Sequence, residues 1–135
     1  MAGTSEEGQG FGPRVLVVDD SALVRLYCRQ ALTGAGFAVE EAMNGAEALE
    51  KALAGEFDLL ILDVNMPRMD GFSLLRALRR APGRAGSTPV LMLSTEAAEG
   101  DREAARAAGA NHYLVKPAEP AELCRCAALL MGRPR

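Results

Sequence analysis

Short apolar segments alternate along the chain with segments whose apolar residues recur at helical spacing. Glycine, asparagine or proline separates most of these segments, and the apolar ones cover about residues 14–18, 38–41, 59–63, 89–93 and 111–115. Strands that alternate with helices pair in parallel, and right-handed crossovers then place helices on both faces of one sheet. The sequence therefore predicts a doubly wound α/β domain with a five-stranded parallel sheet. For its strand order we adopt 2-1-3-4-5, the common order of flavodoxin-like sheets, which the spacing of the segments does not itself determine.

The chain length of 135 residues is about that of one ordinary domain. Residues 1–13 are rich in glycine and acid and hold one large apolar side chain, Phe11, so we expect a disordered N-terminal tail. We expect the domain to cover residues 14–131 and a short C-terminal tail to cover residues 132–135.

Composition and charge narrow the classes of function. No apolar run approaches the roughly 18 residues of a membrane span, and the N-terminus lacks the regions of a secretory signal. We therefore expect a cytoplasmic, monomeric protein that does not bind membranes. The formal net charge of −3 argues against a nucleic-acid partner. The one basic run is predicted to be a solvated helix face, and it consists of Arg76, Arg79, Arg80 and Arg84.

The helical segments differ in the apolar side chains that they offer for burial. In the second segment, Ala46, Leu49 and Leu53 are predicted to face the core. The segment at about residues 97–108 offers only alanines and contains Gly100, which costs a helix up to about 1 kcal/mol relative to alanine. We expect that helix to be loosely held. Neither a disulfide nor a zinc site is expected among Cys28, Cys124 and Cys126, which are predicted to behave as small buried apolar residues.

Ionisable residues stand at three of the predicted strand ends. Asp19 and Asp20 follow the first strand, Asp63 ends the third, and Lys116 follows the fifth. Each taken alone has a structural reading as a helix cap, a turn former or a surface lysine. Open α/β sheets gather functional groups at the carboxyl ends of their strands, however, and three clustered acids repel one another unless a cation joins them.

Magnesium is the cation that this set of oxygen ligands suits, because it takes one or two carboxylates together with water and phosphate. Asp20 and Asp63 are predicted to bind Mg²⁺ directly, Asp19 through a water molecule, and Asn65 through its backbone carbonyl. The second oxygen of Asp63 is then a nucleophile for a phosphoryl group, and Lys116 neutralises charge on the transferring oxygens.

The motifs at these strand ends resemble those of response-regulator receiver domains of two-component signalling. They are Val17-Val18-Asp19-Asp20-Ser21, the run 62–71 (LDVNMPRMDG), Leu93-Ser94, Ala108-Gly109-Ala110 and Tyr113-Leu114-Val115-Lys116-Pro117. The resemblance implies that Asp63 accepts phosphate from a histidine kinase or phosphotransfer protein, with Mg²⁺ as cofactor. It also implies a cis bond between Lys116 and Pro117.

The same resemblance implies a conformational switch and a tuned lifetime. Ser94 is the switch hydroxyl and Tyr113 the switch aromatic, and the output face consists of the fourth helix, fifth strand and fifth helix. Asn65 and Glu96 are implied to orient an attacking water. The family usually has Thr-Ala where this chain has Ser94-Thr95, and Thr95 is expected to narrow access. With no output domain in the sequence, the chain is similar to the stand-alone chemotaxis type, and phosphorelay signalling stays open beside chemotaxis.

The same residues are compatible with three other classes of protein. Haloacid-dehalogenase-like phosphatases also use a strand-end aspartate, Mg²⁺ and a lysine, but they need a second acid where this chain has Asn65, so we expect no turnover of an external substrate. A flavin module is disfavoured because no phosphate-cradling loop follows the first strand. An unphosphorylated scaffold is disfavoured by the intact acid set.

Overall fold

The computed structural model describes residues 12–66, 69–96 and 99–132. Most of both predicted tails lies outside these ranges, so the tail boundaries stay predictions. At the N-terminal boundary, the carbonyl of Pro13 accepts a hydrogen bond from the Ala38 amide over 2.9 Å. In chain order the elements are β1 Arg14–Val18, α1 Ala22–Gly34, β2 Ala38–Ala42, α2 Gly45–Ala54, β3 Leu59–Asp63, α3 Gly71–Arg79, a short 3₁₀ helix Gly83–Ser87, β4 Val90–Ser94, α4 Glu99–Ala108, β5 His112–Val115 and α5 Pro120–Leu130.

The five strands form one parallel sheet in the order β2-β1-β3-β4-β5, which confirms the predicted fold and strand order. The register aligns Val18 of β1 with Leu62 of β3, and Asp63 with Leu93 of β4. The carboxyl ends of β1, β3 and β4 therefore lie side by side at one edge of the sheet.

The central strand β3 is buried along its whole length, as its run of apolar residues predicts. Because successive side chains of a strand point to opposite faces, β3 contributes to two separate cores. Leu60 and Leu62 pack in the core beneath α2 and α3. Leu59 and Ile61 pack in the core shared with α1 and α5. The sheet is thus covered on both faces, and its functional groups are restricted to its edge.

Side-chain caps start the helices that follow β1, β2 and β3. Ser21 accepts a hydrogen bond from the Val24 amide (3.3 Å), Asn44 from the Glu47 amide (2.8 Å) and Asp70 from the Ser73 amide (2.8 Å). These caps satisfy amides that the first turn of each helix leaves unpaired. Each helix therefore begins at a defined residue just beyond a strand end.

The buried side of α2 differs from the predicted one. Gly45, Ala48 and Ala52 are buried, whereas Ala46 is exposed and Leu53 is 54% exposed. Leu49 is half-buried and packs at the margin of the core. The prediction followed the largest apolar side chains. The helix instead packs through its smallest ones: a Cβ added at Gly45 would lie 2.8 Å from the Cβ of Met69, so this approach requires glycine.

Two further expectations have mixed outcomes. In the described part of α4, Ala105 is the buried residue, as the alanine-rich sequence predicts, while the predicted start at 97–98 lies outside the described residues. Cys28 is a buried free thiol, whereas Cys124 and Cys126 are free thiols that are only half-buried. No helix in the described ranges is both long enough and apolar enough to cross a membrane.

The predicted solvated arginine face is wrong for Arg79. Arg76, Arg80 and Arg84 are exposed, but the Arg79 guanidinium is half-buried and donates to the carbonyls of Gly109 and Thr88 (both 2.8 Å at the shortest) and to Asn111 Oδ1 (3.0 Å). A helical period of 3.6 turns this one arginine inward. Arg79 therefore connects α3 with the start of β4 and with the α4–β5 turn.

Replacing Arg79 by methionine tests this connection. The variant keeps most of the apolar stem but loses every donor, so we expect the free energy of unfolding to fall by about 2–3 kcal/mol, as for hydrogen bonds from a charged group. Urea denaturation measures the change. Arg80→Met is the matched control, and an equal loss of stability in both variants would contradict the role given to Arg79.

Candidate functional site

The three predicted acids lie together at the carboxyl edge of the sheet. One carboxylate oxygen from each of Asp19, Asp20 and Asp63 falls within 4.8 Å of the others. Asp19 and Asp63 are buried, whereas Asp20 is exposed. The fold brings them together because β1 and β3 are neighbours in register and the chain leaves both strands on the same edge. The three acids that the sequence places at strand ends therefore form one cluster in the structure.

Lys116 bridges two of these acids from the far side of the site. Its Nζ donates to Asp19 Oδ2 and to Asp63 Oδ1, each over 2.9 Å. The backbone amide of Lys116 donates to the carbonyl of Ser94 over 2.7 Å, which fixes the start of this side chain beside β4. The bond from Lys116 to Pro117 is cis, as the resemblance implies.

The charges of the site are not balanced. Burial raises the pKa of Asp63, and the charges of Asp19 and Asp20 raise it further, although the Lys116 hydrogen bond opposes the rise. Burial alone would lower the pKa of Lys116, but its hydrogen bonds to Asp19 and Asp63 outweigh burial and raise it. The pKa of Asp63 thus rises because the carboxyl is buried beside two other acids, and that of Lys116 rises because its ammonium donates to two carboxylates.

The donor set fits a hard divalent cation. The oxygens are close enough to share one ion, and within the described part of the chain no donor hydrogen-bonds the Asp20 carboxylate. Asp19, by contrast, accepts from Lys116 and, through Oδ1, from the Ser21 amide over 2.9 Å. Asp20 is therefore open for direct binding, while the direct contact of Asp63 and the water-mediated role of Asp19 stay predictions.

Backbone hydrogen bonds connect the residue just after Asp63 with the start of α3 and with β4. The amide of Gly71 donates to the Val64 carbonyl over 2.9 Å, and the amide of Val64 donates to the Leu93 carbonyl over 3.1 Å. A Cβ at Gly71 would lie 2.5 Å from the carbonyl oxygen of Asp63, so α3 begins in direct contact with the strand end. Gly71 therefore lets the loop close tightly behind Asp63.

The two predicted switch residues meet at the backbone of a third residue. Ser94 is buried, and its Oγ accepts from the Glu96 amide over 3.0 Å. The Tyr113 hydroxyl donates to the carbonyl of the same Glu96 over 2.8 Å, and only 6% of the Tyr113 side chain is exposed. The ring thus already occupies an inward position, and its movement during switching stays a prediction.

The three residues predicted to tune the lifetime are exposed around this site. Asn65 follows two residues after Asp63, and Thr95 and Glu96 follow Ser94 directly. Their side chains are therefore free to meet solvent that enters the site. Their roles, like the metal contact of the Asn65 carbonyl, stay predictions.

Sequence reasoning missed a network that holds the Asp19–Asp20 turn. Arg25 Nη1 donates to the Asp19 carbonyl over 2.7 Å, and its Nε donates to Glu41 over 2.9 Å. Arg29 also donates to Glu41, over 2.6 Å. Burial alone would raise the pKa of Glu41, but its hydrogen bonds to Arg29 and Arg25 outweigh burial and lower it. The sequence offered one indication of this network. Glu41 lies near the end of β2, and Arg25 and Arg29 lie one turn apart on α1.

An apolar cleft of about 260 Å³ adjoins the site between α1 and the segment after Lys116. Leu23, Tyr27 and Cys28 line one side, and Pro117 and Ala118 line the other. Burial is the main cause that raises the pKa of Cys28 to about 11, so this thiol is protonated at neutral pH. Leu23 is 78% exposed at the rim of the cleft, and Lys116 is also among the lining residues, so an apolar surface leads directly to Lys116.

Comparison with known proteins gives one matching family model and several curated relatives. The family model for the response regulator receiver domain matches residues 15–128. The transcriptional regulatory protein PrrA of Mycobacterium tuberculosis is 45% identical over 122 residues, which are 90% of this chain and 51% of PrrA. The chain thus spans about half the length of the curated relatives it matches first.

Two solved structures are similar over nearly the whole domain. The chemotaxis response regulator CheY4 of Vibrio cholerae has a TM-score of 0.81 at 40% identity, covering 88% of this chain and 98% of CheY4. The receiver domain of the Pseudomonas aeruginosa sensor histidine kinase PA1611, solved with magnesium coordinated in its active-site cleft, has a TM-score of 0.82 at 31% identity, covering 90% of this chain and 98% of its own. By its sequence match and its fold, the chain belongs to the response regulator receiver domains of two-component signalling.

Proposed function

We propose that Asp63 accepts a phosphoryl group from a histidine kinase or phosphotransfer protein in a Mg²⁺-dependent reaction, and that the modified domain signals through a protein-binding face. The observation that carries the proposal is the geometry of Asp63: one oxygen is held by Lys116 at 2.9 Å, and no donor in the described ranges hydrogen-bonds the other. A carboxylate that is oriented through one oxygen and open at the other is suited to in-line attack.

The chemistry follows from the residues around that oxygen. Attack by Asp63 Oδ2 on phosphorus forms an O–P bond while the P–N bond of a phosphohistidine donor breaks, and the electron pair of that bond returns to the imidazole. Lys116 stays charged and lies where the transferred oxygens gain negative charge. A bound Mg²⁺ would supply the remaining charge compensation, with Asp20 and Asp63 as its carboxylate ligands.

A protein donor suits the surroundings better than a diffusing small substrate. The apolar cleft beside Lys116 and the exposed Leu23 and Leu26 on α1 form a surface that a second protein can cover. Asn65 stands where a phosphatase of similar chemistry needs an acid, so we expect a phosphoacceptor and no turnover of external substrates. A stand-alone chemotaxis or phosphorelay role, a monomeric state and a cytoplasmic location stay part of the proposal.

Labelling with a small phosphodonor tests the phosphoacceptor directly. With acetyl phosphate and Mg²⁺ we expect one phosphoryl group per chain, no uptake by Asp63→Asn, and no uptake after chelation of the metal. Phos-tag gels and intact mass measure the product. Asp70→Asn is the matched control because Asp70 is an exposed cap residue outside the site, and labelling of Asp63→Asn at the wild-type level would refute the assignment.

The free energy of unfolding should report the charge of Asp63. The pKa of Asp63 is raised in the folded state, so ionised Asp63 destabilises the fold, and this cost is fully present once the pH exceeds the folded pKa. Asp63→Asn should therefore be more stable than the metal-free wild type at neutral pH and equal to or below it under acid conditions.

Mg²⁺ at about ten times its dissociation constant should stabilise the wild type by about 1.4 kcal/mol and Asp63→Asn by much less. Thermal and urea unfolding, each with and without Mg²⁺, measure these differences. Equal stabilisation of both proteins by Mg²⁺ would place the ion away from Asp63.

The lifetime of the phosphorylated state should depend on the exposed residues around the site. Asn65→Met and Glu96→His remove groups that can orient an attacking water, so each should slow phosphate loss by about tenfold, or about 1.4 kcal/mol in the barrier. Thr95→Ala opens the site and should quicken the loss. Decay of the labelled protein on Phos-tag gels gives the rates, with Glu99→His as the control for Glu96→His. Equal decay in all variants would end this explanation.

A further inference from the structure

Asp20, the exposed acid of the site, depends on its backbone for its position. Within the described ranges no donor hydrogen-bonds its carboxylate, so a hydrogen bond does not fix the side chain itself. A peptide unit is planar, and the backbone direction at a residue is set by the planes of the two units that flank it. The position of the Asp20 carboxylate therefore depends on the contacts that hold the Asp19–Asp20 and Asp20–Ser21 peptide units.

Hydrogen bonds hold both of these peptide units. The carbonyl of Asp19 belongs to the first unit and accepts from Arg25 Nη1 over 2.7 Å. The amide of Ser21 belongs to the second unit and donates to Asp19 Oδ1 over 2.9 Å. The amide of Asp19 donates in turn to the Ala42 carbonyl over 3.2 Å, which connects the turn to β2. Arg25 thus supplies the contact that fixes the plane of the Asp19–Asp20 unit.

The Arg25 guanidinium is itself held in place by Glu41. Only 13% of the Arg25 side chain is exposed, and its Nε donates to Glu41 Oε1 over 2.9 Å. The other carboxylate oxygen of Glu41 accepts from Arg29 over 2.6 Å, and the Glu41 carbonyl accepts from Lys51 over 2.6 Å. A carboxylate with both oxygens bound has little freedom to turn. Glu41 therefore directs the Arg25 guanidinium towards the Asp19 carbonyl.

The charge of Arg25 and its geometry have opposite effects on the binding of a cation. A positive group beside the acids repels Mg²⁺, although the ion pair with Glu41 offsets part of this repulsion. By charge alone, loss of Arg25 would strengthen metal binding. By geometry, its loss would release the Asp19–Asp20 peptide unit and weaken metal binding. The sign of the change therefore separates the two roles.

We propose that Arg25 is a positioning residue for the cation: held by Glu41, it fixes the Asp19–Asp20 peptide unit so that Asp20 and Asp63 can bind the same ion. The acids of the site have oxygens within 4.8 Å of one another, and this is the arrangement that the contact preserves. The inference rests on the proposed Mg²⁺-dependent function and adds to it a residue that touches neither the ion nor the phosphoryl group.

Titration of the full chain with Mg²⁺, followed in the amide NMR spectrum, tests the positioning role. We expect Arg25→Met to raise the dissociation constant for Mg²⁺ by about tenfold or more, the loss typical of partners that orient metal ligands. Arg29→Met is the matched control, because it removes the same charge from the same Glu41 carboxylate one helical turn further from the strand end. Arg29→Met should leave the dissociation constant unchanged or lower it.

A second variant serves if Arg25→Met does not fold. Arg25→Lys keeps the charge, but one ammonium replaces the fork that spans Glu41 and the Asp19 carbonyl, so we expect a dissociation constant about threefold or more above the wild-type value. Affinity at or above the wild-type level in either Arg25 variant, with a spectrum that shows the protein folded, would overturn the positioning role. Equal weakening by Arg25→Met and Arg29→Met would also overturn it.

The rate of labelling by acetyl phosphate gives a readout that a general loss of stability would not reproduce. At limiting Mg²⁺ the Arg25→Met variant should be labelled more slowly than the wild type by about the ratio of the two dissociation constants. At saturating Mg²⁺ its rate should return to near the wild-type value, because Asp63 and Lys116 are unchanged. A rate that stays low at saturating Mg²⁺ would overturn the positioning role and leave the proposed function intact. A wild type that binds no Mg²⁺ and takes up no phosphate would overturn the proposed function itself.

Discussion

The ammonium of Lys116 between Asp19 and Asp63 is the interaction on which the arrangement of the site depends. β5 is separated from β3 by β4, so the lysine must reach across two strand spacings, about 10 Å, with help from the aspartate side chains. That reach is open only if the strand between them ends in a small residue, and β4 ends in Ser94. The contact between Lys116 and Asp63 therefore requires this strand order, a long side chain at 116 and a small residue at 94.

The site carries excess negative charge, which a bound cation or a transferred phosphoryl group would change. One lysine cannot neutralise three acids, and the pKa of Asp63 is raised by burial and, in addition, by the charges of Asp19 and Asp20. The surrounding fold supplies the stability that this repulsion removes, through two apolar cores on opposite faces of the sheet. A carboxylate whose charge is poorly satisfied in the resting fold gains most from a bound cation, which suits the proposed Mg²⁺-dependent phosphorylation of Asp63.

The sequence was sufficient to predict the parallel sheet and the meeting of Asp19, Asp20, Asp63 and Lys116, because alternating strands and helices imply parallel pairing and the carboxyl ends of parallel strands share an edge. The strand order was adopted from the common order of flavodoxin-like sheets, and the structure confirms it. The side of a helix that packs most closely follows a different rule. In α2, Ala48 and Ala52 are buried and Leu53 is not, since close approach to the sheet selects small residues.

The sequence also did not reveal the hydrogen bonds that side chains make to backbone carbonyls. Arg79 binds the carbonyls of Gly109 and Thr88, and Arg25 binds that of Asp19, and in each case the partner carries no chemical label in the sequence. The same holds for the Glu96 backbone, which joins Ser94 to Tyr113.

That last contact explains how an event at one edge of the sheet can reach α4. The core beneath α4 is thin, with Ala105 as the buried residue of its described part, so the position of the helix depends on few apolar contacts. The polar path through Glu96 and Tyr113 to Arg102 runs beside it. A few hydrogen bonds can shift an element only where apolar packing does not already fix it. The sparse alanine packing of α4 and the polar path from Ser94 are thus complementary in the proposed switch: the first would leave the helix free to move, and the second would let the site move it.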